Sequence, residues 1–167
     1  AIEADREKFL GYIQGVNEQI FPLMNLKIIT GRAFGKTDVS KKSKIAVLGY
    51  TLAEKLFKDP KNALNRQITI NNQRFRVIGV MEKSGDREMD TAAVMPYTTA
   101  FGRINPNKDF FALYLGVNNK DSVELLKTQI KTTLLKRYEE DDFSVAEQTE
   151  ILSSINQIFS IINAVLI

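Results

Sequence analysis

The 167-residue sequence has no cysteine and no histidine, and these two absences remove more chemistry than any motif present supplies. Without them there is no thiol nucleophile, no imidazole base, no Ser-His-Asp triad and none of the common zinc ligand sets. A cysteine-free chain also meets an oxidising exterior without forming wrong disulfides, although that does not by itself fix a compartment. No serine is followed by lysine at the third position, so a Ser-x-x-Lys hydrolase is unsupported. The start, AIEAD, lacks the basic and apolar regions of a signal peptide. Internal repeats and low-complexity segments are also missing.

What is present matches an ordinary globular domain, or two small subdomains sharing a core: hydrophobic residues make up 44% and charged residues 26%, which excludes disorder and fibrous architectures. The net charge of +3 is scattered along the chain rather than gathered on one element, which argues against nucleic-acid binding. Two local charge runs, Lys41, Lys42 and Lys44, then Glu139, Glu140, Asp141 and Asp142, read as solvated loops.

Along the chain, Lys8 to Val16 reads as a strand, Glu18 to Met24 as a helical turn, Lys27 to Thr30 as a short strand and Gly35 to Lys44 as a polar loop. The apolar run Ile45-Ala46-Val47-Leu48, ending at Gly49, predicts a buried strand, and Thr51 is placed to cap a helix through Phe57. Gln67 to Ile70 and Gln73 to Val80 alternate around Asn71-Asn72, and asparagine tolerates the positive φ of a two-residue turn. This pattern predicts a β-hairpin. A strand over Ala92 to Met95 stops at Pro96, and a short helix is expected over Tyr97 to Ile104. The last third reads as a strand over Phe110 to Val117, a helix from the Asp121/Glu124 capping box to about Tyr138, and a strand over Phe143 to Ala146. A terminal helix carries Ile151, Leu152, Ile155, Ile158, Phe159, Ile162, Val165 and Leu166 and grows more apolar toward its end. Its last ten residues, interrupted by Ser160 and Asn163, fall short of the roughly 18 to 20 that span a bilayer.

Two catalytic-looking patterns fail on spacing. Gly31-Arg-Ala-Phe-Gly35-Lys36-Thr37 puts three residues where a P-loop needs four, and no apolar helix follows to receive phosphates. Asp86, Glu88 and Asp90 alternate like calcium ligands, but the turn glycine and distal glutamate are missing, leaving a flexible acidic loop.

The ordered set Gly15-Val16, Leu26, Gly31-Arg32-Ala33-Phe34, Asp38, Ile45 to Gly49, Leu52-Ala53, Leu56-Phe57, Ile68 to Ile70, Phe75 to Val80 and Val94-Met95-Pro96-Tyr97-Thr98-Thr99-Ala100 resembles the MacB-like periplasmic core domain of FtsX-type permeases. The likeness covers residues 15 to 104 closely and 110 to 167 in element order. One departure is Leu64-Asn65-Arg66, where the family has glycine; asparagine is the next-best residue for a left-handed backbone. The other is the short stretch ahead of Gly15, where the family carries a membrane helix and a longer β-α segment.

The resemblance implies an α+β fold with a porter-like β-α-β subdomain (residues 1–17 and 106–148), an inserted mixed α/β lobe (18–105) and a stalk helix (149–167) leading into a membrane helix. It implies a non-catalytic extracytoplasmic domain of an ABC transporter permease without cofactors, its ATPase on a separate cytoplasmic domain, with a permease dimer and an adaptor or cargo as further partners. The alternative is a free-standing secreted binding module. Gly31, Arg32, Asp38, Gly49, Gly79 and Pro96 are expected to build the lobe's turns, with Arg32 bridging to a carboxylate such as Asp38. Lys36, Lys41, Lys42, Lys44, Arg74 and Arg76 are candidate partner-binding residues, expected at a membrane-distal end because they lie far in sequence from both membrane connections. The bland alternative is that these lysines only keep a loop soluble.

Overall fold

In a computed structural model the described residues are 1–147, so the helix expected over 149–167 lies outside them. The chain divides into two compact units, Ala1–Leu113 and Tyr114–Ile167. The first is built on one eight-stranded sheet: β1 (Ile2–Ala4), β2 (Glu7–Phe9), β3 (Tyr12–Val16), β4 (Ile28–Gly31), β5 (Ile45–Leu48), β6 (Gln67–Ile70), β7 (Gln73–Met81) and β8 (Ala92–Pro96). Seven strands lie in the order β2-β1-β6-β7-β5-β8-β3, and β4 adds to β7.

That order forces curvature. Strands β2 and β3 stand at opposite extremes, some 29 Å apart in a flat sheet at about 4.8 Å per step. Yet only Leu10 and Gly11 join them, and three Cα steps reach at most about 11 Å. The sheet therefore curls until its extremes meet at Gly11, where a Cβ would lie 2.3 Å from the Thr91 carbonyl oxygen next to β8 and 3.2 Å from Ile2 of β1. The single strand expected over residues 8–16 is thus two strands broken at the seam. Through the pairing of β1 with β6 and β3 with β8, residues 1–17 share one sheet with strands of 18–105.

Each sheet face has its own core. On one face Ile2, Ala46, Leu48, Ile68, Ile70, Phe75, Val77, Ala93 and Met95 pack under α3 (Tyr50–Phe57), whose Leu52, Ala53, Leu56 and Phe57 form a single apolar stripe. Each of those large side chains contributes about 1.5–3 kcal/mol by leaving water. On the other face Ile45, Val47, Ile78 and Val94 meet Ile20 and Phe21 of α1 (Ile20–Leu23), Phe34, and Val39 of α2 (Lys36–Ser40). Helix α2 replaces part of the loop expected over 35–44, because Val39 has an apolar layer to enter. Helix α3 starts at Tyr50 with Gly49 as its cap, not Thr51.

Strand β7 organises the sheet. Its hairpin with β6 turns at Asn71 (φ 48°) and Asn72 (φ 60°), in the register Ile70↔Gln73. Asn65 takes the left-handed conformation (φ 62°), and its amide donates to the Val77 carbonyl at 2.9 Å. Further along, Gly31 pairs with Gly79. Gly31 has φ +75° and a Cβ there would lie 2.1 Å from the Ile78 carbonyl oxygen; one on Gly79 would lie 2.4 Å from that of Arg32.

After β8 come α5 (Tyr97–Ala100), shorter than the helix expected to Ile104, and a segment whose Phe110 packs near Tyr97 and Phe101 at 5.7 and 5.5 Å. The second unit contains α6 (Val123–Leu134), half-burying Val123, Leu126, Ile130 and Leu134. It ends short of Tyr138. Its entry is capped by the Asn119 side chain accepting from the Asp121 amide rather than by the Asp121/Glu124 box. Neither 110–117 nor 143–146 forms a strand. Alternating apolar residues define a face, but a strand also needs a neighbour to share its amides and carbonyls. Phe110, Phe111, Leu113, Tyr114, Leu115 and Val117 are exposed instead. No helix among the described residues is long and apolar enough to cross a membrane.

Gly31→Ala should lower unfolding stability by about 2 kcal/mol or more, combining left-handed strain with a backbone clash. Gly35→Ala, with nothing within 4 Å of the new methyl, should cost less than about 1 kcal/mol. Urea denaturation of both variants checks this; equal losses would contradict it.

Candidate functional site

Arg32 leaves the sheet just after β4, its amide donating to the Ile78 carbonyl at 2.9 Å. Its guanidinium then spans the turn as a fork, Nη1 donating to Asp38 Oδ2 at 2.7 Å and Nη2 to Oδ1 at 3.3 Å. Nη1 also donates to the Ala33 carbonyl. The same carboxylate accepts the Gly35 amide at 3.0 Å, closing the first turn of α2. The hydrogen bond from Arg32 holds Asp38 below the usual carboxylate range; partial burial opposes this, while the Gly35 amide and the charges of Arg32 and Lys41 reinforce it. In the other direction, Asp38 raises the pKa of Arg32. The amide a phosphate would need at Gly35 is therefore occupied by the chain's own carboxylate.

From this turn the chain presents Lys36, Lys41, Lys42 and Lys44, all exposed. Its far side is pinned to α5: Thr98 Oγ1 donates to the Val39 carbonyl at 2.5 Å and Thr99 Oγ1 to the Ser43 carbonyl at 3.0 Å. The Arg76 amide donates to the Lys44 carbonyl at 3.1 Å, bringing β7 alongside. Arg74 and Arg76 are exposed while Phe75 and Val77 between and beyond them are buried. So Lys44 lies against Arg76, joining the basic loop to the hairpin. Among the described residues none of the six cations forms an ion pair, unlike Lys8 with Glu3 or Arg66 with Asp5.

Strand pairing fixes where this basic end lies in the sheet. Ile2 pairs with Ile70, the last residue before the hairpin turn, so the start of β1 lies beside that tip. Strand β8 runs antiparallel to β5, so its end at Pro96 lies beside the start of β5 and Lys44. Strand β1 begins, and β8 ends, at the end of the sheet that carries the cations.

Pro96 is fully buried, ending β8 opposite Val16 and turning the chain into α5. Gly49 lies at the other end of the sheet, where a Cβ would be 2.2 Å from the Met89 carbonyl oxygen. There Asp90, buried, accepts from the Ser84 amide (2.8 Å), the Ser84 hydroxyl (2.9 Å) and the Gly85 amide (3.0 Å). Burial pushes its pKa up, but those donors, with Lys83 nearby, outweigh burial and leave it lowered. Asp86 caps the Met89 amide at the start of α4 (Arg87–Asp90), and Glu88 accepts from Gln14. The three carboxylates thus do three separate structural jobs, and the flexible acidic loop is in fact a built one. Sequence reasoning put Asp90 in a flexible loop and missed its structural role; its place two residues before the buried strand β8 and five after Gly85 was the available signal. Among the described residues no group of three acidic side chains could hold a metal ion. A shallow cleft of about 220 Å³ at the seam, lined by Phe9, Leu10, Gly11, Tyr12, Arg87 and Thr91, is smaller than small-molecule sites of roughly 300–1,000 Å³.

Residues 3–133 match the family model of the MacB-like periplasmic core domain. Similar curated proteins include the macrolide export ATP-binding/permease protein MacB of Hyphomonas neptunium, 28% identical over 87% of this chain and 23% of the relative. The MacB of Campylobacter jejuni is 30% identical over 81% of this chain and 22% of the relative. The pyoverdine export ATP-binding/permease protein PvdT of Pseudomonas fluorescens is 31% identical over 72% and 19%. The chain thus spans less than a quarter of the length of these relatives. Among solved structures, the periplasmic region of MacB from Actinobacillus actinomycetemcomitans superposes with a TM-score of 0.67 at 23% identity, covering 93% of this chain and 70% of that one. The extracellular domain of the ABC-type transporter YknZ from Gram-positive bacteria gives 0.69 at 18%, covering 80% and 67%. At these identities the likeness is one of fold.

Asp90 and Asp38 both ionise more easily in the fold than in the unfolded chain, so their contribution is complete above the unfolded carboxylate pKa of about 3.9 and is lost as pH falls through the folded values. Stability should therefore drop steeply below about pH 4. Asp90→Asn should weaken the fold at neutral pH by about 1–3 kcal/mol and make the acid slope shallower. Urea midpoints measured from pH 7 to 3 check both, and an unchanged acid slope in the variant would contradict the assignment.

Proposed function

The chain belongs to the MacB-like periplasmic core domain family, the extracytoplasmic domain of a membrane-anchored ABC transporter permease, and we propose that it binds an adaptor or the transported cargo and relays ATP-driven motion. In this reading the domain is not catalytic, and ATP hydrolysis takes place on a separate cytoplasmic domain of the parent protein. The permease acts as a dimer, and the domain passes movement toward the membrane.

The observation that carries the reading is the basic end. Lys36, Lys41, Lys42, Lys44, Arg74 and Arg76 are exposed and make no ion pairs among the described residues; the four lysines lie on the 36–44 segment held by the Arg32–Asp38 fork and the α5 hydroxyls, the two arginines on strand β7. Unpaired like charges held on a rigid rim repel each other, and they form a field suited to an acidic partner surface. A solvated loop needs none of that rigidity. The cargo or adaptor recognised here is accordingly one that presents carboxylates.

Charge reversal at Lys41, Lys42 and Lys44 in the full transporter should weaken adaptor or cargo association by about tenfold or more, with a larger loss at low salt. Co-purification and transport assays at two ionic strengths read this out. Unchanged association and unchanged transport would leave those lysines with a solubility role only.

A further inference from the structure

We propose that Thr98 and Thr99 are positioning residues that couple the basic loop to the segment through which the chain leaves for its second unit. Among the described residues, their hydroxyls make the only side-chain hydrogen bonds between residues 36–44 and the chain beyond residue 90. They are half-buried and aimed at carbonyls flanking the three lysines 41, 42 and 44. Helix α5, which carries them, is one turn long and continues directly into the Phe101 to Phe110 segment. That segment is tied to the helix by Phe101 N–H to the Tyr97 carbonyl and Asn105 N–H to the Ala100 carbonyl, both 2.9 Å. Edge and tilted contacts among Tyr97, Phe101 and Phe110, at 5.3 to 5.7 Å, hold it further.

So short a helix has little stability of its own and depends on what anchors it. It is anchored to the basic loop by two hydroxyls and to the segment that follows by the aromatic trio. Displacing the loop must either break those bonds or tilt α5, and a tilt moves Phe101 and Asn105 with it. In the relay this rests on the docking reading above, but the coupling itself is measurable without any partner.

Coupling needs a cycle rather than proximity alone. Hydrogen exchange is measured on the 167-residue chain after loosening the loop with Asp38→Asn or, independently, with Arg32→Gln. Either change should speed exchange at the Phe101 and Asn105 amides by about fivefold or more. In a Thr98→Val, Thr99→Val background the same changes should add less than about twofold. If the loop loosens while Phe101 and Asn105 stay unchanged, or if the effect persists without the hydroxyls, the proposal is overturned. A partner that still binds after charge reversal at Lys41, Lys42 and Lys44, with the exchange coupling intact, would sink only the docking reading. Lost coupling with partner binding that remains charge-dependent would sink only this one.

Discussion

Everything in the first unit follows from the shortness of the Leu10-Gly11 link. It obliges the sheet to curl until its extremes meet, while strand pairing puts Ile2, the Asn71-Asn72 turn, the start of β5 and the end of β8 along one rim. The backbone crowding at that closure and along β7 leaves no space for side chains at Gly11, Gly31 or Gly79. A larger residue at any of them would push apart main chains that are already hydrogen-bonded, so the curl and the glycines require each other.

The rim so formed bears six exposed cations without ion-pair partners among the described residues, and β8 ends there at Pro96. At the opposite end, carboxylates are abundant but spent: Asp86, Glu88 and Asp90 each satisfy donors of the chain itself. That end is shaped for rigidity, with Tyr12 and Gly49 donating their amides to the Thr91 and Ala92 carbonyls.

Local chemistry was legible in the sequence wherever a single residue type decides the backbone. Asn71, Asn72 and Asn65 adopt the positive φ that their side chains tolerate, and the run Ile45 to Leu48 is fully buried. Arg32 meets Asp38 because six residues of turn bring a fork to a carboxylate. What stayed hidden depends on partners distant in sequence. The break at Leu10-Gly11 exists only because β2 and β3 pair with different neighbours, and the 110–117 alternation makes no strand without one.

The central claim, that the lobe meets its partner at the basic rim, is tested most directly by photo-crosslinking in the assembled transporter. A crosslinking amino acid at Arg74, on the rim, should capture a partner protein or cargo, whereas one at Arg87, exposed at the opposite end of the sheet, should not. Capture at position 87 with none at position 74 would contradict the account.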